Sequence, residues 1–170
     1  MANTFTKIAA VTVGSGGAAS IDFTSIPGTY TDLCIKISGR TARTNVEALL
    51  SMAFNSSSSN YSNIYIEGDG SAAYSFTTSA NTYNVGFVNS STSTANTFNN
   101  TEVYIPNYAG SNYKSFSVDN VDETNGTTIY CHLIGGIWSD TSAITSITFT
   151  PTSGNFVQYS TITLYGISKS

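Results

Sequence analysis

A chain of 170 residues and 17.9 kDa has the length of one domain. Only 9% of it is charged and 40% is hydrophobic, while Ser, Thr and Asn make up roughly 40%, so hydroxyls and amides carry most of its polarity. A net charge of −4 with six basic residues excludes the basic footprint of a nucleic-acid binder. No apolar run approaches a membrane span and no charged segment precedes one, so neither a span nor a cleaved signal is expected.

Period-two alternation rich in Val, Ile, Thr, Tyr and Phe predicts about ten short strands. They run over approximately Lys7–Val13, Ser20–Phe23, Thr31–Ser38, Ala48–Phe54, Asn63–Glu67, Tyr83–Val88, Asn99–Ile105, Lys114–Val118, Thr127–Ile134, Ala143–Thr150 and Thr161–Ile167. Within Asn45–Phe54, Leu50, Met52 and Phe54 alternate as in a strand, which outweighs Asn45 as a helix cap. Gly14–Gly17 reads as a tight turn joining the first two strands. Asn125-Gly126 is a hairpin signal that pairs Phe116–Val118 with Thr127–Leu133. Ile26-Pro27-Gly28 and Pro106-Asn107 end strands where proline cannot donate. Ser56–Asn60 and Ser90–Asn96 read as exposed polar loops. Many short strands without a helical period imply an all-β, antiparallel two-sheet β-sandwich, jelly-roll-like, as a single domain over residues 1–170.

Parity also places individual side chains. Leu33, Ile35 and Ile37 share a face, which sets Cys34 opposite with Asp32 and Lys36; Ile129, Cys131 and Leu133 read as a core face, which puts His132 outward. The two cysteines are therefore expected as free thiols, Cys131 buried and Cys34 half-exposed, in keeping with a reducing cytosol.

Groups that move protons are scarce. His132 is the one histidine, and no nucleophile-elbow motif surrounds any serine. An acid–base pair for glycoside hydrolysis would have to come from Glu47, Glu67, Asp69, Glu102, Asp119, Asp122, Glu123 or Asp140, whose contexts do not distinguish acid from base. Asp119–Gly126 offers three carboxylates and two amides, hard oxygen ligands suited to calcium, but Val121 breaks the EF-hand spacing and a plain hairpin explains the run equally well. No phosphate-cradling motif is present, and no catalytic residue, metal or cofactor is expected. Asn55, Asn60, Asn89, Asn99 and Asn125 match the glycosylation pattern by chance of composition. The 11 tyrosines, nine phenylalanines and one tryptophan exceed what a core needs. Tyr104, Tyr108 and Tyr113, with Asn107 and Asn112, bracket one loop and are the candidate partner-binding residues, amphipathic and uncharged. On that reading Tyr108→Ala weakens binding without unfolding the domain, whereas Trp138 belongs to the core.

Three segments carry a resemblance: Gly135-Gly136-Ile137-Trp138; Ala143–Phe149 followed by Ser153-Gly154-Asn155-Phe156; and Ser160-Thr161-Ile162-Thr163-Leu164-Tyr165-Gly166-Ile167. With the opening Val11–Phe23 and Ser25–Leu33, they resemble the ends of small β-rich virion proteins of tailed bacteriophages. About half the chain is covered. Such proteins serve as head decoration proteins or as pieces of tail fibres, so the resemblance implies a non-enzymatic virion component, assembled in the bacterial cytoplasm, and supplies no catalytic residue. The favoured expectation is a capsid decoration or cement protein, a homotrimer bound to the major capsid protein. The alternative is a tail-fibre or appendage module that binds host-surface glycan; a polysaccharide hydrolase ranks third. Neither nucleic acid nor a membrane is an expected partner.

Overall fold

The computed structural model describes residues 4–80, 83–124 and 129–168. It contains twelve strands: β1 (Phe5–Thr12), β2 (Ile21–Phe23), β3 (Asp32–Ser38), β4 (Glu47–Phe54), β5 (Tyr61–Gly68), β6 (Ala73–Ala80), β7 (Tyr83–Asn89), β8 (Asn100–Pro106), β9 (Lys114–Glu123), β10 (Ile129–Trp138), β11 (Ile147–Pro151) and β12 (Thr161–Ile167). They form a two-sheet antiparallel β-sandwich. Eight strands lie in the order β1-β12-β3-β8-β9-β10-β5-β6 and four in the order β2-β11-β4-β7. The segment containing Leu50, Met52 and Phe54 is the strand that its alternation implies, and β9 pairs with β10 as the Asn125-Gly126 signal requires; residues 125–128 lie outside the described residues.

The Gly14–Gly17 turn is present, closed by Gly17 N–H donating to the Gly14 carbonyl at 3.1 Å, but it makes no hairpin, because β1 pairs with β12 in the large sheet and β2 with β11 in the small one. The turn instead carries the chain between layers. Strand β6 was hidden by its composition, Ala-Tyr-Ser-Phe-Thr-Thr-Ser-Ala, whose small polar residues do not mark a buried face. Indeed residues 73–77 are all exposed, because β7 packs over β9, β10 and the near side of β5 and leaves β6 as a projecting wing.

The core forms one cluster between the sheets. Leu33, Ile35, Ile37, Val103, Ile105, Phe116, Val118, Ile134, Ile162 and Leu164 project from the large sheet to meet Ala48, Leu50, Met52, Phe54, Val85, Ile147 and Phe149 of the small one. At one end Phe54, Tyr61, Phe116 and Trp138 pack ring on ring: Tyr61 stacks on Trp138 at 6.2 Å, and Phe54 meets Trp138 edge-on at 5.7 Å. Gly136 makes this possible, since a Cβ there would lie 2.0 Å from the Phe116 ring.

The thiols are free, with their expected environments exchanged: Cys34 is buried and Cys131 exposed. Cys34 does lie on the outer face of β3, but Tyr104 and Tyr165 stand directly opposite it on both neighbouring strands and shield so small a side chain. Burial pushes its pKa above the ordinary thiol value. The Ser90–Asn96 loop is also no free excursion. Ser90 and Ser93 are buried, and the buried Arg40 donates to the carbonyls of Ser93, Thr94 and Thr97 within 3.0 Å and to that of Ser91 at 3.5 Å. No helix among the described residues is long and apolar enough to cross a membrane.

Trp138→Ala should lower stability by about 3–5 kcal/mol in urea unfolding, because it empties the centre of the aromatic cluster. Trp138→Phe should cost far less: the buried indole Nε1 has no hydrogen bond among the described residues to lose. Equal losses for both variants would contradict this placement.

Candidate functional site

Strand β10 organises the two surfaces of interest. Its even-numbered residues His132, Ile134 and Trp138 are buried, whereas Ile129, Cys131, Leu133, Gly135 and Ile137 face out. This reverses the parity read from sequence, and His132 and Cys131 exchange places accordingly. The reason is that the outward residues are the more apolar set, while the inward ones are satisfied by a polar network.

On the outside, Leu133 lies opposite Ile66 of β5, and Gly135 opposite Ile64. Five aliphatic side chains are exposed there: Ile64 58%, Ile66 52%, Leu133 60%, Ile129 43% and Ile137 43%. Ile64, Ile66, Leu133 and Ile137 wall a trough of about 680 Å³ whose remaining lining includes Ser62, Thr77, Ser117 and Gly135, with no charged residue. A Cβ added to Gly135 would meet nothing within 4 Å. The exposed Asp119 of β9 stands directly opposite Leu133 at the trough's border, and farther along the sheet Lys36 pairs with Glu102 across β3 and β8.

On the inside, Asn120 of β9 donates through Nδ2 to the Phe87 carbonyl at 2.9 Å and to Thr101 Oγ1, while its Oδ1 accepts from Phe87 N–H at 3.1 Å. The same Oδ1 lies 3.0 Å from His132 Nδ1, so Nδ1 carries a hydrogen and donates. His132 Nε2 then faces Glu67 Oε2, also at 3.0 Å. Beside it opens a recess of about 90 Å³ lined by Leu49, Tyr65, Glu67, Asn84, Gly86, Phe87, His132 and Ile134. A bulge shapes it: between Leu49 and Ser51, β7 carries one residue more than β4. Gly86 takes φ +93° there, and its backbone approaches Asn120 so closely that a Cβ would lie 2.3 Å from that side chain.

Asp122, two residues beyond Asn120, is completely buried. Oδ1 accepts from Tyr130 N–H at 2.8 Å and Oδ2 has no hydrogen-bond partner among the described residues. Desolvation, reinforced by nearby Glu47, raises its pKa above the ordinary carboxylate value. Asp119–Glu123 belong to β9 rather than to a loop, and Asp119 points out while Asp122 points in, so these two carboxylates do not converge on one ion; Asn120 is committed to His132. Asn125 and Gly126 lie outside the described residues. Among those described, no group of three or more His, Cys, Asp or Glu residues is placed to hold a metal.

The loop residues singled out from sequence do not form one surface. Tyr108 is fully buried; its hydroxyl donates to the Pro27 carbonyl, and its own carbonyl accepts from Ile144 N–H. It is a core anchor, so Tyr108→Ala would damage the fold, contrary to the expectation. Tyr104 is half-buried, and its hydroxyl donates to Asp32 at 2.7 Å, an interaction that raises its pKa, with burial adding to the rise. Asn107 N–H donates to the same carboxylate, so these two of the five candidates do converge, on Asp32. Asn107, Asn112 and Tyr113 are exposed. Sequence reasoning passed over the aliphatic trough and the recess; Ile64, Ile66, Leu133 and Ile137 were each legible as strand residues, but the outward side of a strand was assumed to be the polar one.

No family model matches the chain, and no curated protein matches it.

Asp122 binds its proton more tightly folded than unfolded. Its contribution therefore favours the fold in acid and is lost as pH rises from the ordinary carboxylate value through the raised one. Asp122→Asn should raise the melting temperature at neutral pH, and the difference from the parent should vanish in acid. In thiol titration Cys131 should react freely and Cys34 at least about tenfold more slowly; Cys131→Ser should remove the fast phase.

Proposed function

We propose that this protein is a non-enzymatic structural component of a tailed-bacteriophage particle, a decoration or cement protein that binds the major capsid protein lattice as a homotrimer. The observation that carries the reading is the uncharged aliphatic trough on the outer face of β10 and β5. A contiguous apolar patch rimmed by hydroxyls is what protein interfaces look like, and it is costly to leave in water. Glycine inside a strand weakens it, and among the described residues nothing occupies the space beside Gly135. A reason for that glycine lies outside the chain, in the close approach of another backbone. Apolar and hydroxyl contacts also keep their strength when salt changes, as adhesion in many copies requires. A ligand of the assembled shell stabilises it by mass action, by about 2.7 kcal/mol per site at a hundredfold excess over Kd.

The inner recess does not favour hydrolysis. Both nitrogens of His132 are engaged, by Asn120 and Glu67, and neither serine nor cysteine lines the cavity. The resemblance at both ends of the chain supports a virion component. The tail-fibre alternative differs from the capsid reading chiefly in copy number.

In purified particles the chain should be present at about one third to one copy per major capsid subunit, as expected for symmetric occupancy of the lattice. A ratio near one hundredth would move it to the tail, and absence would overturn both placements. Leu133→Ser and Gly135→Val, at exposed positions, should leave the melting temperature nearly unchanged and reduce retention on particles at least about tenfold. Undiminished retention of both variants would remove the trough from the interface.

A further inference from the structure

The recess between β4, β5, β7 and β10 opens on the opposite side of the β5–β6 wing from the trough, and it does not depend on the assembly reading. Its lining divides by chemistry. Leu49 and Ile134 are aliphatic; Tyr65 and Phe87 supply rings; Glu67 and Asn84 supply an acceptor and an amide. Glu67 Oε2 is taken by His132, which fixes the carboxylate's orientation, whereas Oε1 and the Asn84 amide make no hydrogen bond within the described residues. Outside the recess the rings continue. Tyr65 stacks on Phe76 of β6 at 4.8 Å, Phe76 is followed by Tyr74 at 6.1 Å, and Phe76 and Tyr74 are 40% and 43% exposed.

About 90 Å³ is too small for a whole ligand and suits one arm of it, the remainder lying over the exposed rings. That arm needs an apolar end for Leu49 and Ile134, a donor for Glu67 and an acceptor for Asn84. An acetamido group has all three: a methyl, an N–H and a carbonyl. A pyranose ring bears the C–H face that aromatic side chains favour. Glu47, Glu67, Asp69 and Asp122 all bear on Tyr130 at this end of the sandwich, so negative potential disfavours an acidic sugar. We propose that this recess is a binding site for a neutral glycan containing an N-acetylhexosamine, with the acetamido arm between Glu67 and Asn84 and the ring over Phe76 and Tyr74. The bulge at Gly86 is what sets Asn84 and Phe87 on the same opening.

The test is titration of the isotope-labelled chain with the methyl glycosides of N-acetylglucosamine and N-acetylgalactosamine, with cellobiose as the sugar that lacks the acetamido group. At least one acetamido sugar should shift the Gly86 and Phe87 amide signals with a Kd of about 1 mM, and cellobiose should leave them unmoved. Asn84→Leu, at a half-buried position, and Phe76→Ala, at an exposed one, should keep the parent's melting curve and each weaken binding at least about tenfold, whereas Tyr113→Ala should not. Unmoved Gly86 and Phe87 signals at tens of millimolar of both sugars, equal shifts with cellobiose, or full binding by the Asn84 and Phe76 variants would overturn the proposal. Particle retention is a separate readout, so failure here leaves the assembly reading standing.

Discussion

The pleat of β10 is the constraint on which the rest depends. Because side chains alternate strictly across a sheet, the choice that buries His132, Ile134 and Trp138 also turns Ile129, Leu133 and Ile137 to the outside. One register thus creates two surfaces of opposite chemistry. Inside, a histidine is clamped by an amide and a carboxylate; outside, aliphatic side chains surround an unoccupied glycine. Shifting the register by one residue would make the core more apolar, but it would drive Trp138 into solvent and strand the Asn120 and Asp122 side chains without their β10 partners. The aromatic cluster of Phe54, Tyr61, Phe116 and Trp138 holds the register at one end, and the Asn120–His132–Glu67 chain holds it at the other.

That balance explains what was legible in the sequence. Ten of the twelve strands overlap well-placed alternating segments such as 31–38 and 161–167, because burying one face against a second sheet imposes period two on the residues themselves. Strand β11 starts later than its apolar segment suggested, and β6 went unseen because a wing with both faces in solvent has no such imprint. Alternation also says that two faces differ without saying which is inside. For Leu33, Ile35 and Ile37 the apolar face was the core face. For β10 it was not, since polar residues paid for their burial with hydrogen bonds and the apolar ones were left exposed. Cys34 failed for a different reason: burial by flanking tyrosines depends on strand order, and order is written in pairs of distant segments rather than in any one.

The candidate site was less legible than the fold. Clustering along the chain suggested Tyr104, Tyr108 and Tyr113, but two of the three use their hydroxyls internally, on Asp32 and on the Pro27 carbonyl. The recess draws instead on Leu49, Glu67, Asn84 and His132, from four strands and two sheets. The feature nearest to a local signal was Gly86 inside an otherwise alternating strand, the usual mark of a bulge.

The loop gripped by Arg40 has a consequence for how such a chain can change. A guanidinium held by main-chain carbonyls of Ser91, Ser93, Thr94 and Thr97 recognises the path of the backbone and largely ignores the identity of the residues along it. No carboxylate takes part, so the grip needs no second ionisable group to be retained. The exposed side chains at positions 91, 92, 94 and 95 can therefore drift in sequence while their carrier keeps its shape, whereas Asn96, at φ +64°, is held to residues that tolerate the left-handed region. The loop is a variable surface mounted on an invariant bracket.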